Sequence, residues 1–148
     1  PTPLEGKVSI LIFNIKTCEK YSYEPFSHQR GGIIAPPLII AKNKLCIVWD
    51  SINGGIAGIS YDNYKFKKNW EINIRPTMQP IYFEQSNELV INHFDDKSDH
   101  LIVIDVLRGK ILSKVNLRTP MANGMFLTPG FNNDVLYCST LAISKVSW

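Results

Sequence analysis

The sequence has few cysteines, no long apolar run and no metal-binding spacing, and each shortage excludes a class of protein. The three cysteines, Cys18, Cys46 and Cys138, are odd in number and far apart, so no disulfide framework is expected. Neither a CxxC motif nor a Cys/His cluster is present, which argues against a structural zinc ion. The longest apolar run, residues 33–41, is shorter than the roughly 20 residues a bilayer requires, and two prolines interrupt it. We therefore expect no membrane span.

Net charge and composition further limit the classes of protein to which the chain can belong. The 148 residues include 16 Lys and Arg against 13 Asp and Glu, a formal net charge of +3, which predicts no nucleic-acid partner. Hydrophobic residues make up 45% of the chain, enough to bury a core and to exclude disorder. Unpaired cysteines, the lack of an Asn-x-Ser/Thr acceptor and the lack of a signal-like segment slightly favour the cytoplasm, although the compartment stays open.

Short apolar runs separated by Asn, Asp, Gly or Pro account for most of the sequence. They are rich in β-branched and aromatic residues, which favour strands, and no dozen residues show a helical period. This pattern predicts an all-β protein. The thirteen predicted strands are Val8–Asn14, Lys20–Phe26, Pro37–Ala41, Leu45–Asp50, Ile56–Tyr61, Lys65–Ile74, Pro80–Glu84, Glu88–Phe94, Leu101–Val106, Lys110–Val115, Met125–Thr128, Val135–Ser139 and Leu141–Val146.

A sequence pattern made of an apolar strand, a polar turn and a second apolar strand recurs along the chain. Its three copies span residues 36–48, 79–91 and 125–137. Within these copies Leu89 follows Leu45 by 44 residues and precedes Val135 by 46. A repeat of this length indicates a stack of similar supersecondary units.

A second sequence pattern accompanies the first. In it a strand ends near a polar residue, and a turn leads to another strand. Asn14, Ser60 and Asp105 share this position at spacings of 46 and 45. Four strands in about 45 residues are typical of a β-propeller blade. The predicted boundaries are a partial blade 1–30, blades 31–75 and 76–118, and a partial blade 119–148.

The two sequence patterns together resemble the repeat of the quinoprotein-like (PQQ-type) β-propeller family, and residues 105–110 match it best. In that family a tryptophan usually follows the aspartate by eight residues and docks one blade on the next. The corresponding residues here are Ser113, Lys68 and Ser22, and Trp70 comes two residues late. The resemblance thus implies a propeller with degraded repeat motifs.

WD repeats are the competing propeller family. Trp49-Asp50 supplies one WD dipeptide, but the equivalent stretches, His93–Asp95 and Ser139-Thr140, do not repeat it. We therefore interpret that dipeptide as accidental.

The chain contains about three and a third predicted blades, fewer than the four that a propeller needs to close. An unclosed arc leaves a blade face and several strand edges bare. We expect the chain to be a segment of a six- to eight-bladed propeller, with the remaining blades in another segment or another chain.

Three arginines enter the predicted innermost strands and form the candidate ligand site. Arg30, Arg75 and Arg118 are spaced by 45 and 43 residues, so they could converge and bind a carboxylate, a phosphate or an acidic peptide. The alternative, which we favour from sequence alone, is that strand ends simply tolerate solvated cations.

A polar cluster in one predicted hairpin is the second candidate. His93, Asp95, Asp96, Asp99 and His100 could supply ligands for a divalent cation, but a hydrated loop explains them better, and no other repeat contains such a cluster. We accordingly predict no metal and no cofactor.

No catalytic residue can be named from the sequence. Glu24 and His28 could form an acid–base pair, but nothing supplies a nucleophile or an orienting third group. The expected function is a non-catalytic scaffold that binds a protein or a small anionic ligand at a loop face. The alternative is a propeller enzyme, either a degenerate quinoprotein-type oxidoreductase or a metal-dependent hydrolase or lyase with its site in the axial channel.

Overall fold

Strands make up nearly all of the regular structure in this computed structural model, which describes residues 7–28, 36–117, 124–139 and 142–148. Every predicted strand is present, so the all-β prediction is confirmed. In the described ranges the one helical element is the 3₁₀ turn Ala41–Asn43, and no helix there is long and apolar enough to cross a membrane. The strands are β1 (Ile10–Phe13), β2 (Lys20–Tyr23), β3 (Leu38–Ile40), β4 (Leu45–Trp49), β5 (Ile56–Asp62), β6 (Lys65–Ile72), β7 (Ile81–Phe83), β8 (Glu88–Phe94), β9 (Asp99–Asp105), β10 (Lys110–Asn116), β11 (Gly124–Pro129), β12 (Asp134–Ser139) and β13 (Ile143–Ser147).

The strands form four antiparallel sheets in which each strand pairs with its neighbours in sequence. The sheets are β1–β2, β3–β6, β7–β10 and β11–β13, and none of them closes on itself in the described residues. The chain divides into two compact units. The first ends at Asn73 and holds the first two sheets, and the second begins at Ile74 and holds the other two.

The two four-stranded sheets have the same internal register. One cross-strand row of the first is Leu38, Ile47, Gly58 and Trp70, and the matching row of the second is Ile81, Val90, Val103 and Ser113. Next to this row each sheet has a β-bulge in its last strand, where Asn69 and Leu112 are the extra residues. The two four-stranded sheets therefore share both their strand register and the position of a β-bulge.

The cross-strand pairs also correct two of the correspondences that were counted along the sequence. Leu45 pairs with Ser60, and Glu88 pairs with Asp105, so Ser60 and Asp105 correspond as predicted. Leu45 therefore corresponds to Glu88 rather than to Leu89. Trp70 takes the place of Ser113, where counting along the sequence predicted Lys68.

The reason for the second correction is turn length. At the end near its turn, the β5–β6 hairpin has two more residue pairs than the β9–β10 hairpin, and its turn consists of two residues, Asn63 and Tyr64. The turn between β9 and β10 consists of four residues. The positive φ of both Asn63 and Tyr64 is the geometry of a tight hairpin turn. Trp70 therefore follows Ser60 by ten residues, whereas Ser113 follows Asp105 by eight.

Each unit has a core between two sheets that pack face to face. In the first unit Cys46, Val48, Ala57 and Ile59 of the four-stranded sheet pack with Phe26, and Ile10 and Tyr23 of β1–β2 contact this cluster. In the second unit Val90, Leu101 and Val103 of the four-stranded sheet pack with Val135 of β12, and Leu127 and Val146 flank this cluster. Burial of such side chains stabilises a fold by roughly 1.5–3 kcal/mol each.

The four-stranded sheets are apolar on both faces. Ile47 and Ile56 are fully buried on the face opposite Cys46, and Leu89 and Ile104 are fully buried on the face opposite Val90. The two smaller sheets differ, since each exposes large apolar side chains on its outer face, beside Lys20 and Ser22 in the first and beside Thr128 and Lys145 in the second. We call these faces the β1–β2 outer face, with Leu11 and Phe13, and the β11–β13 outer face, with Phe126 and Ile143.

Candidate functional site

The structure joins two candidates that the sequence kept apart, Arg75 and the polar hairpin between β8 and β9. The backbone N–H of Arg75 donates to His93 Nδ1 at 2.9 Å, and the N–H of Phe94 donates to the Arg75 carbonyl oxygen at 3.1 Å. These bonds hold the segment before β7 against the end of β8. We call Arg75, His93, Asp95, Asp96 and His100 the hairpin cluster.

Arg75 is the cationic member of the hairpin cluster, and it is already paired. Its Nη2 donates to Asp96 Oδ1 at 2.5 Å, and its Cζ lies 5.0 Å from the centre of the Phe94 ring. A guanidinium held between a carboxylate and an aromatic face is well oriented for a second anion, provided that Asp96 gives up part of its pairing. The predicted partners Arg30 and Arg118 lie outside the described residues, so their convergence with Arg75 stays a prediction.

Asp95 organises the tip of the hairpin. Its Oδ1 accepts hydrogen bonds from the N–H groups of Lys97 at 3.0 Å and Ser98 at 2.9 Å. These bonds, chiefly the one from Ser98, lower the pKa of Asp95 from its ordinary value. Asp50 accepts an equivalent pair of hydrogen bonds in the first unit, from the N–H groups of Ile52 and Asn53 to its Oδ1. The acidic residues after β4 and β8 are therefore turn-forming groups.

The two histidines of the hairpin cluster lie directly opposite each other in the β8–β9 ladder, with ring centres 6.0 Å apart. Burial is the main cause that lowers the pKa of His93, and the charge of Lys114 adds to it. Nδ1 of His93 accepts the Arg75 N–H, so its neutral ring carries the proton on Nε2. Nδ1 of His100 is buried without a hydrogen-bond partner in the described structure and lies 3.7 Å from Asp95 Oδ2.

A buried polar network behind the hairpin cluster was not foreseen from the sequence. Asn92 Oδ1 accepts from the N–H groups of Thr77 at 3.1 Å and Met78 at 2.9 Å, and its amide donates to Asp99 Oδ1 at 3.4 Å. The Tyr137 hydroxyl donates to Asp99 Oδ2 at 2.5 Å. Asp99 was expected in a hydrated loop, but only 1% of it is exposed. In the sequence Asp99 precedes Leu101 by two residues and Val103 by four, which places all three side chains on one face of β9. This spacing was the signal that could have indicated the burial of Asp99.

Other chemical possibilities are limited by the partners that these groups already have. Glu24 pairs with Lys7 at 2.8 Å, and His28 lies 3.8 Å from the buried Asp50, so the suggested Glu24–His28 pair does not form. In the part of the chain that the structure describes, no three His, Cys, Asp or Glu side chains are arranged to hold a metal ion.

An open apolar groove of about 560 Å³ lies in the first unit. Ile39, Tyr61 and Tyr64 line it, and Lys44 Nζ donates to Asp62 Oδ1 at 2.8 Å at its rim. Since the charges at this rim neutralise each other, a ligand here would be recognised by shape and aromatic contact. The hairpin cluster is therefore the better candidate for recognition of charge.

The chain matches no protein-family model, and no curated protein is significantly similar to it. The functional argument consequently depends on the geometry of these residues.

Proposed function

We propose that the chain is part of a β-propeller and serves as a non-catalytic scaffold that binds an acidic partner through the hairpin cluster. The coincidence of cross-strand rows and bulges in β3–β6 and β7–β10 carries this proposal, because a propeller is built from repeated four-stranded antiparallel sheets. The resemblance to quinoprotein-like repeats agrees with it.

Two-sided burial of the four-stranded sheets also supports the proposal. A blade inside a propeller packs against a neighbour on each face, so both of its faces must be apolar, as they are around Ile47 and Cys46 and around Val90 and Leu89. In this scheme the β1–β2 and β11–β13 outer faces are the places where further blades would pack.

The proposed role is binding rather than catalysis because the acidic groups have structural tasks. Asp95 forms a turn, Asp99 accepts a buried tyrosine hydroxyl, and Asp50 repeats the task of Asp95 in the first unit. Arg75, in contrast, holds a partner that is 78% exposed and can be displaced at little cost.

The proposal is tested by titrating the protein with a Glu-rich peptide and with citrate, using calorimetry at low ionic strength. Arg75→Gln should weaken peptide binding by about tenfold or more, as expected for the loss of a charge-assisted hydrogen bond. Asp96→Asn should tighten binding because it removes the internal competitor.

Arg108→Gln is the matched control, since Arg108 is an exposed arginine that pairs with Asp105 at 3.0 Å in the β9–β10 turn. If the wild-type protein binds neither probe, or if both arginine variants weaken binding equally, the hairpin cluster is not the binding site.

A further inference from the structure

The two outer faces expose large apolar side chains in lines. On β1, Leu11 and Phe13 alternate with the half-buried Ile10 and Ile12, and they are 56% and 57% exposed. On the other sheet Phe126, Cys138 and Ile143 form a single cross-strand row, in which Phe126 is 64% and Ile143 73% exposed. Exposed apolar stripes on sheets mark interaction surfaces, or else sites of aggregation.

The repeated register shows that these two faces are of opposite kinds. The first four-stranded sheet packs its Cys46 face on the sheet that precedes it in sequence, and the second packs its Val90 face on the sheet that follows. Since Val90 corresponds to Ile47, and Ile47 lies opposite Cys46, the two four-stranded sheets use opposite faces, one for the sheet that precedes and the other for the sheet that follows.

The smaller sheets follow the same rule. The inner face of β1–β2, which includes Tyr23, packs on its successor, so the β1–β2 outer face is of the kind that receives a predecessor. The inner face of β11–β13, which includes Val135, packs on its predecessor, so the β11–β13 outer face is of the kind that receives a successor. One chain thus exposes one face of each kind.

We propose that the β11–β13 outer face of one copy of this chain packs on the β1–β2 outer face of a second copy. Such a head-to-tail contact is heterologous, because it joins two different surfaces, and it continues the sheet-on-sheet packing already present within each unit. Two copies together supply eight sheets, which agrees with the expected six to eight blades. The inference rests on the proposed propeller, although its test is independent of the hairpin cluster.

The test measures the mass of the tag-free protein by sedimentation over a wide concentration range. The wild-type protein should associate, and Phe13→Asp and Phe126→Asp should each weaken that association by at least about tenfold, since each places a charge in an apolar contact. Ile52→Asp is the matched control, because Ile52 is also 56% exposed but lies in a loop outside both faces.

Mixing the two variants distinguishes this arrangement from a symmetric dimer. The Phe13→Asp chain keeps an intact β11–β13 outer face, and the Phe126→Asp chain keeps an intact β1–β2 outer face. An equimolar mixture should therefore regain one intact contact and form a two-chain species that neither variant forms alone. Circular dichroism of each variant must first show the native fold; if either is misfolded, Leu11→Ser and Ile143→Ser replace the pair.

Three results would overturn the proposal. They are a wild-type protein that stays monomeric at the highest concentration, a mixture that forms no complex, and an Ile52→Asp variant that dissociates as readily as the others. The first of these would leave the anion-binding result for Arg75 unaffected, so failure of the contact and failure of the proposed function can be told apart.

Discussion

The hydroxyl of Tyr137 donates a hydrogen bond to Asp99 Oδ2 at 2.5 Å, and it thereby joins β12 to β9 inside the core of the second unit. Both residues are almost fully buried. The bond connects two facing sheets through polar atoms in a largely apolar interface, where an unsatisfied carboxylate would be costly.

Tyr137→Phe should lower the free energy of unfolding by about 1.5–3 kcal/mol, because it leaves a buried carboxylate oxygen without this donor. Urea unfolding followed by fluorescence measures the change. Tyr82→Phe is the control, since the Tyr82 hydroxyl donates to Asn87 Oδ1 at a half-buried position and its loss should cost less than about 1 kcal/mol. Equal losses in the two variants would contradict a special role for the buried bond.

Gly58 should not tolerate a side chain, because the indole of Trp70 covers it from the neighbouring strand. A Cβ on Gly58 would lie 2.5 Å from Trp70 Nε1, inside van der Waals contact. Gly58→Ala should therefore destabilise the protein by about 1–3 kcal/mol, as measured by urea unfolding.

A double-mutant cycle with Trp70→Leu isolates the cause of that loss. In the leucine background the same Gly58→Ala change should cost less than about 1 kcal/mol, because the smaller side chain leaves room for the methyl group. Additive losses would show that the clash with the indole is not the reason.

Cys18 and Cys46 should differ sharply in reactivity. Cys18 is exposed, whereas Cys46 is buried and burial raises its pKa to about 11, so about 0.1% of that thiol is ionised at pH 8. Iodoacetamide at pH 8 should modify Cys18 quickly and leave Cys46 unmodified in the native protein, as read by peptide mass spectrometry. Cys18→Ser should abolish the fast phase, and rapid labelling of Cys46 would contradict its burial.

Stability should decrease as the pH falls below about 6.5, because the folded state holds the pKa of His93 below that ordinary value. The unfolded chain then binds a proton that the folded chain resists, so the stabilisation is complete above 6.5 and is lost as pH falls toward the lowered value. His93→Gln should flatten this part of the profile of unfolding free energy against pH.

Lys114→Gln tests the cause of the His93 shift. Removal of the lysine charge should raise the pKa of His93, measured by NMR titration of the ring protons, and should weaken the pH dependence. An unchanged titration curve in this variant would show that Lys114 does not influence His93.

The sequence predicted the strands well because their signal is local. Alternating β-branched and aromatic residues with Asn, Asp or Gly at the turns located all thirteen strands. The alignment of repeats was less reliable, since Leu45 and Leu89 are similar residues one step out of register. Glu88, the true counterpart of Leu45, is charged, and its side chain accepts a hydrogen bond from Trp148 Nε1 at 3.1 Å.

The candidate site was harder to predict because its contacts join distant parts of the sequence. Arg75 and Asp96 were named as members of separate candidate sites, yet they form one ion pair. Nothing in the order of residues indicates that Tyr137 reaches Asp99, since 38 residues separate them. Such partnerships depend on how sheets face each other, which alternation within one strand does not specify.

The side-chain anchors at the strand ends bear on how this molecule can change over evolutionary time. Asp50 and Asp95 each close the loop after the second strand of a sheet, and the Ser139 hydroxyl accepts the N–H of Ala142 at 3.1 Å after β12. Because each anchor lies at the base of its loop, the segment beyond it can lengthen or vary without disturbing the strands. New specificities can therefore arise in these loops while the sheets stay unaltered.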